Sequence, residues 1–363
     1  MEKRVYNFSP GPATLPLKVL EEAQRDLLAL PGLGVSALEI SHRCPWFDKV
    51  LEETEANLRS LLGIPANFKV LFLQGGSRLQ FSMVPMNLLA EGGSAEYIVT
   101  GSWSKMALDE AKKFGNAKAA YDSKATNYDR LPAGGELKLD QAASYAYFTS
   151  NETIQGVQFL DEPAVGGLPL VCDASSDFLC RPLPMERYGL IYSCAQKNSG
   201  PAGVTTVIVR DDLLARSTDK LPTMMNYALY AKEKSLLNTP PVFSIYIMML
   251  VTRWLKNDIG GLDKMLEHNK RKAKLLYDVI DASGGFYTGH AQKHDRSLMN
   301  VTFKLPDDEK QKAFIKGAEA KGLHYLPGHR SVGGIRASIY NAFPPAGVDA
   351  LAAFMKEFQQ KNG

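Results

Sequence analysis

Leu190-Ile-Tyr-Ser-Cys-Ala-Gln-Lys197-Asn-Ser-Gly-Pro-Ala-Gly203 is a short apolar run that leads to a lysine and then breaks into a Gly/Pro turn. The run reads as a buried strand, and the turn lets backbone or ligand come close to the lysine. Desolvation at such a place favours the neutral, nucleophilic amine, which suits Schiff-base chemistry with an aldehyde. Taken alone, Lys197 also reads as a snorkelling side chain at a strand end. A second strand end, Leu170-Val-Cys-Asp173-Ala-Ser-Ser176, precedes it. Asp173 alone reads as a helix N-cap before Ser175-Ser176.

The two strand ends make chemical sense together. In open α/β sheets ligands lie beyond the carboxyl ends of strands, so Asp173 and Lys197 can face one crevice. Pyridoxal phosphate offers an aldehyde to a lysine and a ring nitrogen that an aspartate keeps protonated. The pair therefore points to this cofactor.

Working outward, apolar residues recur on one helical face over Pro16–Leu28 and again from Phe47 to Leu62. Strands are then expected at Val70–Leu73, Tyr97–Thr100, Tyr145–Thr149, Leu170–Cys172, Leu190–Ser193 and Val204–Val209, with helices from about Arg78 and Ser104. This alternation predicts an α/β fold with a mostly parallel sheet covered by helices on both faces. An apolar helix near Val242–Leu255 reads as buried in a core or a subunit interface. A long polar helix (about Leu262–Ile280) opens a smaller α+β region, with strands at Met299–Phe303 and around Ile335–Ile339 and helices around Lys310–Lys321 and Val348–Gln359. The expected division is an N-terminal arm over 1–15 packing with the small domain, a large domain over 16–256 and a small C-terminal domain over 257–363.

With 363 residues, 45% hydrophobic and 22% charged, the composition is that of a globular protein. A net charge of +3 gives no reason to expect a nucleic-acid or membrane partner. The longest apolar stretch is too short for a bilayer, which takes about 20 residues. Met1–Asn7 carries no apolar leader, so the cytoplasm is the expected compartment. The six histidines form no HExxH, and no metal is expected. The four cysteines show no CxxC pairing and read as reduced thiols.

Other residues acquire candidate roles around the pair. Gln74-Gly75-Gly76-Ser77-Arg78 joins a strand to a helix, where glycines expose backbone N–H groups to an anion; it also reads as a plain tight turn. Trp103 can stack on an aromatic ring or simply pack. Thr153 can bond a ring hydroxyl or cap a turn, and Gln196 sits beside the lysine. Asn238-Thr239 precedes the apolar helix and also reads as its N-cap. His42, Arg43, Arg78, His329, Arg330 and Arg336 stand near glycine turns or loops, and guanidinium forks suit carboxylate and phosphate.

Several motifs together resemble the phosphoserine aminotransferases, class V members of the fold-type I pyridoxal-phosphate enzymes. They are Asn7-Phe-Ser-Pro-Gly-Pro-Ala13, Glu39-Ile-Ser-His-Arg43, Gln74–Arg78, Asn151-Glu-Thr153, Asp173–Ser176, Ala195–Gly203, Asn238-Thr-Pro-Pro241 and Gly328-His-Arg-Ser-Val-Gly-Gly-Ile-Arg336. The resemblance implies transfer of an amino group between L-glutamate and 3-phosphohydroxypyruvate, and in some members from 4-phosphohydroxy-L-threonine in pyridoxine biosynthesis. It implies that Lys197 is the Schiff-base lysine and Asp173 the pyridinium partner. Gly76, Ser77, Arg78, Trp103, Thr153 and Gln196 would hold the cofactor. Asn238 and Thr239 would reach the phosphate of the neighbouring subunit in a homodimer with shared sites. Arg336 would grip the α-carboxylate, while His42, Arg43, Arg78, His329 and Arg330 take the distal anion. Pro10 and Cys194 depart from the family pattern. The alternatives are a cysteine desulfurase or other lyase, for which only Cys44 is a candidate nucleophile, an alanine- or serine-type transaminase, and a non-enzymatic relative.

Overall fold

The structure is a computed structural model that describes residues 4–363; Met1-Glu2-Lys3 of the predicted arm lie outside the described residues. The chain opens with β1 (Tyr6–Asn7), α1 (Leu17–Asp26) and α2 (Pro45–Leu62). Then come β2 (Phe68–Leu73), α3 (Gly76–Leu88), β3 (Ser94–Val99), α4 (Ser102–Ala111) and β4 (Asn116–Asp122). β5 (Ala146–Thr149), the short β6 (Asn151–Glu152) and β7 (Val157–Gln158), β8 (Leu170–Asp173), β9 (Tyr188–Cys194) and β10 (Thr205–Arg210) follow, then the short helices α5 (Asp211–Leu214) and α6 (Tyr227–Lys232).

Seven of these strands form one sheet in the order β2-β10-β9-β8-β5-β3-β4. β10 runs antiparallel to both neighbours, and every other pairing is parallel. The exception has a simple cause. Only the Gly/Pro turn separates β9 from β10, and a parallel return would need a crossover of a dozen or more residues. Side chains alternate between the faces as a period of two requires. Phe68, Val70 and Phe72 enter one core with α1 and α2, while Leu71 and Leu73 enter the other with α3 and α4. The first core is filled by α7 (Val242–Trp254), whose Ile245–Thr252 stretch is buried within its own chain. Of the two settings open to that helix, the structure shows the core.

A third apolar cluster gathers α8 (Leu262–Asp281), β12 (Asn300–Lys304), α9 (Asp308–Ala320), β14 (Ile335–Ser338) and α10 (Pro345–Asn362), with β11 (Thr288–Gly289) at its margin. β11, β12 and β14 form a separate antiparallel sheet. α8 bridges the cores: Leu262 and Met265 pack in the first, while Ala273, Leu276 and Val279 pack in the third. β1 pairs with β13 (Leu323–His324), away from the seven-stranded sheet, and Phe8 enters the third cluster.

One contact ties this part to the lysine turn, from a loop that Lys272 holds in place. Lys272 is buried on α8 and donates to the carbonyls of Ile339 (2.9 Å) and Tyr340 (2.6 Å). In the same loop Asn341 N donates to Asn198 Oδ1 at 2.9 Å, one residue from Lys197. Burial lowers the Lys272 pKa to about 7. Among the described residues no helix is long and apolar enough to cross a membrane.

Candidate active site

The carboxyl ends of β2, β3, β5, β8 and β9 converge on a cavity of ≈ 500 Å³. Register sets this up: Thr149 pairs with Asp173, and Asp173 with Tyr192, so the strands end in a row. Asp173 is the last residue of β8. Its Oδ1 accepts from Ser175 N at 2.9 Å and from the Ser175 hydroxyl, which also meets the Ser77 hydroxyl at 2.6 Å. Burial raises its pKa, and the Ser175 hydrogen bonds and the Lys197 charge oppose the rise.

Lys197 reaches the cavity from the turn after β9, half-buried, with Nζ donating to Thr153 Oγ1 at 2.8 Å. The turn closes on itself through Ser199 N and Gly200 N, which both donate to Ala195 O. The N-terminal arm lies against it, Ala13 N donating to Gln196 O at 2.8 Å. Trp103, in the first turn of α4, sets its ring centroid 5.7 Å from Lys197 Nζ. Gly75 (φ 93°) and Gly76 (φ 67°) adopt left-handed backbone at the start of α3, a conformation that favours glycine. Nothing crowds the space beside Gly76.

Arg336, on β14, projects to the same cavity. It is only 7% exposed, its Nη1 donates to Thr153 O at 3.4 Å, and its Nε has no partner. Burial lowers its pKa, and among the described residues no carboxylate pairs with it. A desolvated guanidinium without a counter-ion marks a place for an anion. His329 stands at the cavity with Nδ1 2.7 Å from Ser331 Oγ; burial, then Arg336 and Arg330, lower its pKa.

Of the residues singled out in the sequence, Gly76, Ser77, Arg78, Trp103, Thr153, Asp173, Gln196, Lys197, His329 and Arg336 line this cavity. His42, Arg43, Arg330, Asn238 and Thr239 do not. His42 and Arg43 lie in the loop before α2, and Arg43 is exposed. Asn238 and Thr239 sit outside the glycine turn: Asn238 Nδ2 donates to Gln74 Oε1 at 3.1 Å, and Gln74 Nε2 to Thr239 O at 2.8 Å. Pro10 reaches the cavity, and its carbonyl accepts from the Tyr340 hydroxyl at 2.8 Å, a contact any residue there can make. Cys194 lines the cavity, buried, whereas Cys44 precedes α2. Ser175 and Glu152 escaped the sequence reading. Ser175 was legible two residues after Asp173; Glu152 shows only once α4 meets β6.

Comparison with known proteins gives the family. The family model described as Aminotransferase class-V matches residues 5–351. A phosphoserine aminotransferase of Rhodopirellula baltica is 53% identical, over 99% of this chain and 96% of that protein. The chain belongs to the phosphoserine aminotransferase family, within class V. The solved phosphoserine aminotransferase of Bacillus circulans subsp. alkalophilus superposes with a TM-score of 0.97 at 49% identity, covering 100% of both chains. The pyridoxal-phosphate-bound enzyme of Trichomonas vaginalis gives 0.92 at 39%, covering 97% of this chain and 100% of that one.

The fold is accordingly fold-type I, and the family depends on pyridoxal phosphate. The cavity fits that group on its own terms. It falls in the ordinary range for a small-molecule site, about 300–1,000 Å³. It also offers a lysine amine, a buried carboxylate, an indole face and an open glycine turn at a helix N-terminus.

Proposed function

We propose that this chain interconverts L-glutamate plus 3-phosphohydroxypyruvate with 2-oxoglutarate plus O-phospho-L-serine. The observation that carries the proposal is Lys197 and Asp173 at neighbouring strand ends facing the unpaired guanidinium of Arg336 across one cavity. Pyridoxal phosphate supplies an aldehyde carbon for the amino group and a ring that accepts the electron pair left when Cα loses its proton. Lys197 Nζ would hold the cofactor, yield to the substrate amine, take the proton from Cα and deliver it to the carbon that came from the cofactor's aldehyde, and the second half-reaction would run the same transfer in reverse on the other substrate. Thr153 Oγ1, 2.8 Å away, keeps that amine in place. Asp173, its carboxylate fixed by Ser175, would hold the ring nitrogen protonated. Trp103 would lie against the ring, Gln196 would support it, and the Gly76–Ser77–Arg78 turn would take the cofactor phosphate.

Arg336 binds the α-carboxylate common to both substrates, Arg78 and His329 take the distal anion, and Arg330, which does not line the cavity, adds its charge from beside His329. The same grip admits a phosphorylated hydroxythreonine as a second donor. The test is glutamate formation from 2-oxoglutarate with phosphoserine as donor and serine as control. Phosphoserine is expected to react, and serine reacting as well would overturn the substrate assignment. Arg336→Ala removes a buried charged contact worth about 2–5 kcal/mol, so kcat/KM is expected to fall at least ~30-fold for glutamate and phosphoserine alike. A loss confined to one substrate contradicts its role.

The active form on this reading is a homodimer, each site completed by its neighbour's His42, Arg43, Asn238 and Thr239. Its support is the loop from Leu27 to Leu38, where Leu27, Leu28 (88% exposed), Leu33, Val35 and Leu38 stand in solvent just before His42 and Arg43. Mixing an inactive Lys197→Ala chain with an Arg43→Ala chain is expected to restore part of the activity. An active monomer in sedimentation at assay concentration rules this out. The arm (1–15), large (16–256) and small (257–363) domains describe the chain, with α8 as the bridge between the last two. Three buried free cysteines suit a reducing cytoplasm, which cell fractionation checks.

A further inference from the structure

Next to Thr153 in the chain stands a carboxylate with no assigned part in this chemistry. Glu152, on β6, is 0% exposed. Its Oε2 accepts from Trp103 N at 2.9 Å, and its Oε1 accepts from Ser104 N at 2.9 Å and from the Ser104 hydroxyl at 2.6 Å. All these donors belong to the first turn of α4, the turn that carries Trp103. Among the described residues Glu152 makes no ion pair. Its charge is met by free N–H groups at the positive end of a helix. The chain leaves room for it at Gly101, where a Cβ would fall on the Glu152 carboxylate.

The Trp103 ring has no other polar anchor, since its Nε1 is buried without a partner. Its pose therefore follows from where the first turn of α4 is held. The residue after Glu152 accepts from Lys197 Nζ, so one dipeptide fixes both the lysine and the indole that faces it.

We propose that Glu152 is a positioning residue: its carboxylate clamps the start of α4 and thereby sets the Trp103 ring against the cofactor plane. The proposal rests on the pyridoxal-phosphate reading above. Burial raises the Glu152 pKa to about 7, while its three hydrogen bonds favour the ionised form that the clamp requires.

The test measures the Kd of pyridoxal phosphate for the full-length apoenzyme by equilibrium dialysis. It compares the wild type, Glu152→Gln, Trp103→Ala and the double variant. Glu152→Gln turns an amide toward N–H donors and is expected to raise Kd about tenfold, the scale of one hydrogen bond to a charged group. In the Trp103→Ala background the same change is expected to add less than about twofold, because its effect runs through the ring. Should Glu152→Gln fold poorly, Ser104→Ala removes one donor and keeps the carboxylate, and it is expected to raise Kd in the same direction by less. Glu162→Gln disturbs a different buried carboxylate, the partner of Arg181, and is expected to leave Kd unchanged. Equal Kd for wild type and Glu152→Gln, or losses that multiply in the double variant, overturn the positioning role alone. A wild-type chain that binds no pyridoxal phosphate overturns the functional reading and this role with it.

Discussion

Replacing Lys197 with alanine is expected to lower kcat by about 10⁴-fold or more, the upper end of what a positioned general base supplies. Two tasks fall on the one amine: holding the cofactor and moving the substrate Cα proton. No second amine lines the cavity to take over, since Lys197 is its one lysine among the described residues. The variant is still expected to bind pyridoxal phosphate, because the glycine turn, Asp173 and Trp103 stay in place. Single-turnover kinetics with glutamate and measured cofactor content separate the two effects. A Lys197→Ala enzyme within tenfold of wild type, with cofactor bound, would remove the lysine from the chemistry.

The second large effect belongs to Asp173. Asp173→Asn keeps the acceptor for Ser175 but loses the charge, and its kcat is expected to fall by about 10³-fold, the scale of a preorganised electrostatic group. Stability is expected to move the other way in the apoenzyme. Burial raises the folded-state pKa of Asp173 above its unfolded value. The folded state then holds the proton more tightly, and the stability this contributes is present at low pH and lost as pH rises through the folded pKa. At neutral pH the buried charge works against folding, so the Asn apoenzyme is expected to denature at the same midpoint or a higher one. A midpoint several degrees lower, with activity kept, would make Asp173 only the N-cap its position also allows.

This opposition between function and stability explains why the core of the site was legible in sequence. A lysine and an aspartate at the ends of apolar strands are costly to bury. An open sheet places strand ends side by side, so Asp173 and Lys197 can be paired before the strand order is known, whereas the other eight site residues that line the cavity take definite roles only from the family resemblance. Where the reading failed, the missing term was contact between distant segments. β4, Asn116-Ala-Lys-Ala-Ala-Tyr-Asp122, went unseen because it is an edge strand rich in alanine, and its burial alternates with exposed lysine and asparagine. Glu152 looked like one polar residue in a motif until α4 closed over it. The loop bearing His42 and Arg43 lies away from the cavity of its own chain, which one sequence read alone does not foresee.

The most direct test of the account is where the cofactor is attached. Borohydride reduction of the holoenzyme, followed by peptide mapping, is expected to place the pyridoxyl label on Lys197 alone. Label on any other lysine, or none at all, would contradict a site formed at the ends of β8 and β9.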